Sequence, residues 1–170
     1  MESEPKDVIV LGAIRRGGKK FSNIQNETKI GPEELNSILE ELENKKFIKV
    51  EESKGWFGKK IELKITDEGS SELDKRIIEI QSKWEEMQSL YQNGDKQKLQ
   101  QKMEENKSFL PSMMFFGLMD MMMFSMMFSM MGIGISDYVS QENMPDGGMD
   151  DGSMDDGSMD DGGFDFDIGF

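Results

Sequence analysis

Apolar residues recur along the first third of the chain with two different periods, and the switches between them mark the elements. Val8, Leu11 and Ile14 fall at helical spacing behind Pro5, a residue suited to a helix start. Gly17 and Gly18 end this helix and stand between Arg15-Arg16 and Lys19-Lys20. Phe21 and Ile24 begin a short second helix that closes near Ile30-Gly31. Pro32 opens a third, with Glu33 and Glu34 in its positive first turn. Leu35, Ile38, Leu39 and Leu42 form that helix's apolar face. The period then drops to two. Residues 47–51 and 61–65 alternate like strands and enclose a glycine-containing turn at 53–60.

Beyond the second strand the helical period returns. Leu73, Ile77, Ile80, Trp84, Met87 and Tyr91 step by four and three residues in turn, which is a heptad seam. Such a seam either pairs with a second copy or lies back on the protein's own first helix. We expect the homodimer, because each of the first three helices already has an apolar face to bury. Asn93-Gly94-Asp95 breaks the pattern, and Leu99 and Met103 continue it in a more polar helix up to Pro111.

Residues 113–131 then hold ten Met, four Phe and one Leu in nineteen positions, a length that can span a bilayer. Lys96, Lys98, Lys102 and Lys107 precede the run and an acidic segment follows it, as the positive-inside rule asks. Asp120 weighs against a span, since a charge near a helix centre costs about 2.5–3.5 kcal/mol. Methionine is also an odd choice for lipid and a good one for adaptable apolar surfaces. We rank protein–protein packing or oligomerisation first, an adaptable protein partner second and a membrane span third. From 136 onward the chain is Gly, Asp and Met with a five-residue repeat, Met149-Asp150-Asp151-Gly152-Ser153 being the first. That composition predicts disorder. The repeat lacks the alternating acidic positions and closing Glu of a calcium loop, so no metal is expected there.

The expected layout is four regions: 6–66, 67–108, 109–135 and 136–170. The class is α+β, with long C-terminal helices, a Met-rich apolar helical segment and a disordered acidic tail after the first region. Composition narrows the function. The chain has 170 residues, no Cys and no His, which removes disulfides, thiolates, the usual zinc ligands and the commonest general base. We expect neither an enzyme nor a cofactor, and with no visible secretion signal we expect a cytoplasmic location. The formal net charge of −14 is uneven. Residues 1–92 account for −3 and residues 93–170 for −11, so the overall acidity does not describe the first region.

Helix, helix, helix, strand, glycine-rich loop, strand is the winged helix-turn-helix order. Leu35 through Ile48 resembles the recognition helix and first wing strand of MarR-like and PadR-like regulators. Ile65-Thr66-Asp67-Glu68-Gly69 is similar to the Leu-Thr-x-x-Gly that follows their second wing strand, with Ile for Leu. The resemblance covers residues 6 to about 92. It implies a DNA-binding protein, a transcription regulator, that docks on double-stranded DNA and uses its C-terminal helices to dimerise. Asn36 and Ser37 on the third helix would then face base edges, while Arg15, Arg16, Lys19, Lys20, Lys54, Lys59 and Lys60 would meet phosphates. Glu33, Glu34, Glu40 and Glu41 share the third helix's outer face and do not suit a phosphate-lined groove. That face either reads bases or is simply solvated, and Trp56 and Phe57 either meet DNA or pack beneath the wing. An interaction adaptor that binds another protein is the alternative function.

If those cations hold DNA, the aspartates of the acidic segment compete with phosphate for them. Deleting residues 145–170 is expected to tighten DNA binding at low salt, with the gain shrinking as salt rises. Equal affinity of the two chains at low salt in a mobility assay would exclude the competition.

Overall fold

A helix with apolar residues on every side sits at the centre of the molecule. The computed structural model describes residues 5–139, so the tail expected from 136 lies, from 140 on, outside the described residues. Helix α1, Lys6–Arg15, buries Val8, Ile9, Val10, Leu11, Ala13 and Ile14, each no more than 6% exposed. Around it lie α2 (Phe21–Thr28), α3 (Pro32–Asn44) and an antiparallel hairpin of β1 (Ile48–Gly55) and β2 (Gly58–Ile65). Its other side is covered by α4 (Asp67–Gln92) and α6 (Leu110–Phe115). The remaining α-helices of the described residues are α5, Lys96–Glu105, and α7, Met121–Met131. The architecture is therefore α+β, with helices and one two-stranded sheet.

Short-range chemistry fixes the joints. Lys29 takes a left-handed conformation to close α2, and Pro32 fills the first turn of α3. Thr66 caps α4 by accepting from the Gly69 amide at 3.0 Å, and its hydroxyl donates to the Lys46 carbonyl at 2.6 Å. The Thr66 amide donates to the Phe47 carbonyl at 2.9 Å. Any side chain on Gly69 would run into that same carbonyl. Thr-x-x-Gly is thus a clamp that ties the base of the hairpin to the start of α4.

Two features of the C-terminal half depend on how its helices fold back on one another. The seam of α4 is covered by the chain itself: Leu73, Ile80, Trp84 and Met87 are buried, and Ile77 and Tyr91 half-buried. After the Asn93-Gly94 turn, α5 doubles back along α4; α6 packs on α4 as well as α1. Phe124 of α7 packs against Trp84 with the rings tilted by 59° and their centroids 6.3 Å apart. A second copy cannot use this seam without displacing those helices.

Nor is 113–131 one continuous helix. Gly117 at φ +64° interrupts it, and α7 starts anew where Asp120 accepts from the amides of Met122 (2.9 Å) and Met123 (3.2 Å). The charge that disfavours a membrane span is a helix N-cap. Among the described residues no helix is long and apolar enough to cross a membrane. Met113, Met119, Met127 and Met131 are buried in the common core with Phe124 and Phe128, leaving Met122 and Met126 exposed.

The two halves also meet tightly at Gly12, where a Cβ would lie 2.5 Å from the Phe116 ring. In a free helix Gly→Ala gains about 0.5–1 kcal/mol, but overpacking typically costs about 1–3 kcal/mol. Gly12→Ala is therefore expected to destabilise the protein by about 1 kcal/mol. In a Phe116→Ala background, where the Phe115 ring remains at 3.1 Å, the cost should shrink markedly. A double-mutant cycle by denaturant titration checks the coupling, and a cost independent of Phe116 would refute the packing account.

Candidate nucleic-acid interface

The hairpin is apolar near its base and cationic toward its end. One face pairs Ile48 with Ile65, Val50 with Leu63, Glu52 with Ile61 and Lys54 with Lys59. Ile48 and Leu63 are buried in the core, whereas Val50 and Ile61 are exposed. From Leu63 to Gly58 the strand therefore extends roughly 17 Å beyond the core, at about 3.3 Å per residue. The opposite face carries Lys49, Glu51, Ser53, Lys60, Glu62 and Lys64. Gly58 at φ +123° helps close a loop of two residues, Trp56 and Phe57, both fully exposed. The alternative in which these aromatics pack beneath the hairpin is excluded: they lie at its far end, beyond any apolar neighbour they could cover.

The turn between α1 and α2 joins this surface. The Leu63 amide donates to the Lys19 carbonyl at 2.8 Å, laying Lys19 and Lys20 beside β2. Glu62 consequently sits among three lysines. Its carboxyl is held below the usual range chiefly by the hydrogen bond from Lys60, 2.7 Å away, with Lys60, Lys19 and Lys64 adding their charges. Glu51 is lowered in the same sense by hydrogen bonds from Lys64 and Lys49. Lys59 lies 3.7 Å from Glu52. Lys19, Lys20 and Lys54 form no ion pair among the described residues. Lys54 and Lys59 face each other directly across the ladder, a like-charge placement that costs stability in isolation.

The expected cations thus divide into two groups. Lys19, Lys20, Lys54, Lys59 and Lys60 belong to the hairpin and its adjoining turn. Arg15 and Arg16 point elsewhere. Arg15 pairs with Asp74 of α4. Arg16 donates to the Phe115 carbonyl at 2.6 Å, stacks 4.3 Å from the Phe115 centroid and lies 3.4 Å from Glu27. These two arginines fasten α1 to the helices behind it.

On α3, Asn36 and Ser37 are exposed, but the Asn36 amide donates to Glu40 at 2.9 Å. Glu34 pairs with Lys6 at 2.8 Å, and Glu41 with Lys45 at 2.5 Å. Glu33, Glu40 and Glu43 stay exposed without an ion partner among the described residues, so this face is net acidic. Sequence reasoning missed Glu62 as the carboxylate at the centre of the lysines. It also missed the certainty of Trp56 and Phe57 exposure, although two glycines framing two residues already imply a turn too tight to reach the core. Among the described residues no cluster of three His, Cys, Asp or Glu side chains is placed to hold a metal ion. No protein-family model matches the chain, and neither a curated protein nor a solved structure matches it.

The division of cations predicts opposite phenotypes. Arg16→Gln is expected to lower stability by about 1 kcal/mol through loss of its aromatic and carbonyl contacts. It should leave nucleic-acid affinity unchanged. Lys54→Gln should do the reverse, as thermal melts and a filter-binding assay on both variants would reveal.

Proposed function

We propose that the chain is a winged helix-turn-helix DNA-binding protein of the transcription-regulator kind, acting in the cytoplasm. In this reading α2 and α3 are the helix-turn-helix and the hairpin is the wing. The observation that carries it is the projecting hairpin with Lys54, Lys59 and Lys60 near its tip and Lys19–Lys20 hydrogen-bonded alongside. Three ammonium groups around the outer half of the hairpin and two at its base suit a phosphate backbone, whose neutralisation supplies the sequence-independent part of DNA affinity.

The acidic outer face of α3 shapes the proposal. Base reading through α3 rests on Asn36 and Ser37, with the surrounding glutamates repelling phosphates on either side. DNA is therefore held mainly by wing and turn, with modest sequence preference. Screening favours this division: at physiological salt the Debye length is about 8 Å, so the wing cations act locally despite the acidic remainder of the chain. The same glutamates favour a second reading, an adaptor whose α3 binds a basic protein surface.

A mobility assay with genomic duplex fragments at several salt concentrations separates the two. Salt-dependent binding is expected. Replacing Lys54, Lys59 and Lys60 together by Gln should flatten the double-logarithmic salt slope by about 2.7, at roughly 0.9 per phosphate contact. An unchanged slope would remove the wing from the interface, and absence of binding at low salt would favour the adaptor.

A further inference from the structure

We infer that the hairpin tip is a nucleobase-stacking element: Trp56 and Phe57 take the exposed π-face of unpaired or unstacked bases while the flanking lysines take the phosphates. The inference rests on the nucleic-acid reading above and names the part of the ligand that the tip recognises. Trp56 and Phe57 are 101% and 105% exposed, so neither contributes buried area to folding. Large aromatics left wholly in water at the end of an ordered ladder mark an interaction site rather than a structural one. The ladder holds them in place: the strands pair over eight residues each, up to Gly55 opposite Gly58, and the loop has no further residues to relax.

Their surroundings identify the ligand's chemistry. Lys54 precedes Trp56 by two residues, Lys59 follows Phe57 by two, and Lys60 stands opposite Ser53. No carboxylate lies between Ser53 and Ile61 in sequence. The like-charged pair Lys54 and Lys59 is relieved when an anion lies between or over it. An aromatic surface set among ammonium groups matches a polyanion that also carries flat apolar rings. Nucleic acid has both, and base–aromatic stacking tolerates any base because every base has a π-face. An anionic bilayer matches less well. Two side chains bury less apolar surface than a single myristoyl chain, whose own membrane binding is marginal.

A paired duplex hides its base faces within the stack, so the tip should favour nucleic acid that is single-stranded or locally opened. The test uses the full chain and three probes: a single-stranded oligonucleotide, its fully paired duplex, and that duplex with a central unpaired bubble. Stacking of even one base corresponds to about tenfold in affinity, so the single strand and bubble should bind about ten times tighter than the paired duplex. Trp84 is buried beside Phe124, so quenching of tryptophan fluorescence on binding reports Trp56. Trp56→Phe should abolish the quench while leaving most of the affinity. Trp56→Ala with Phe57→Ala should erase the preference, leave duplex binding by the lysines intact and leave the melting temperature unchanged.

Equal binding to all three probes without quenching would overturn the stacking inference while the DNA-binding reading stands. Binding to none of them would overturn both. Quenching by phosphatidylserine-containing vesicles, with no response to oligonucleotides, would likewise overturn both and make the tip a membrane contact.

Discussion

An α-helix that is apolar all the way round has no face to turn toward water, so it must be enclosed. Helix α1 is such a helix, and its enclosure organises everything else. α2, α3 and β2 cover part of its surface, while α4 and α6 cover the rest. Gly12 lets α6 come close enough for the Phe115 and Phe116 rings to rest on the α1 backbone. Arg16 fastens the same contact from the end of α1 by a carbonyl hydrogen bond and an aromatic stack. Helix α6 is consequently part of the wall around α1, while α7 completes the core shared with α4 and α5. Methionine's flexible, polarisable side chain suits that irregular space between short helices.

The same enclosure decides which charges are available. Arg15 and Arg16 lie at the end of the central helix, where α4 and α6 converge, and the carboxylate and carbonyl there occupy them. The hairpin is anchored only at its base, by Thr66, Gly69 and the Lys19 carbonyl, and its outer half has no wall to meet. Its lysines therefore stay open to solvent or a ligand. Partial internal neutralisation by Glu51, Glu52 and Glu62 grades them, with Lys54 the least compensated.

How far all this was readable in the sequence depends on range. The three helices, the two strands and the Asn93-Gly94 break came from local signals such as period, proline position and glycine; the structure has helices there, but it carries both strands through most of the expected turn at 53–60, up to Gly55 opposite Gly58. The covering of α1 was only half visible. Val8, Leu11 and Ile14 show one stripe, but Ile9, Val10 and Ala13 show that the remaining faces need partners, and nothing local names those partners. For the same reason the heptad at Leu73–Tyr91 read as a seam for a second copy: periodicity records that a face is buried, and not by what. Asp120 illustrates the converse. Within an apolar run it counts as a cost, whereas its capping role depends on the turn at Gly117 that precedes it. That Lys54, Lys59 and Lys60 fall on the hairpin was legible in the sequence, but the pairing of Arg15 and Arg16 with α4 and α6 was not.

The contact between Arg16 and Phe115 spans 99 positions of sequence, and this separation governs the order of events during synthesis. A ribosome adding about 5–20 residues per second exposes the apolar segment at residues 8–14 for several seconds before its last cover is made. Until then α2, α3, the hairpin and α4 can assemble around it, leaving the strip that α6 covers sticky. The nascent chain thus passes through an intermediate that invites chaperone attention, and it matures late, when the Met-rich helices emerge and dock.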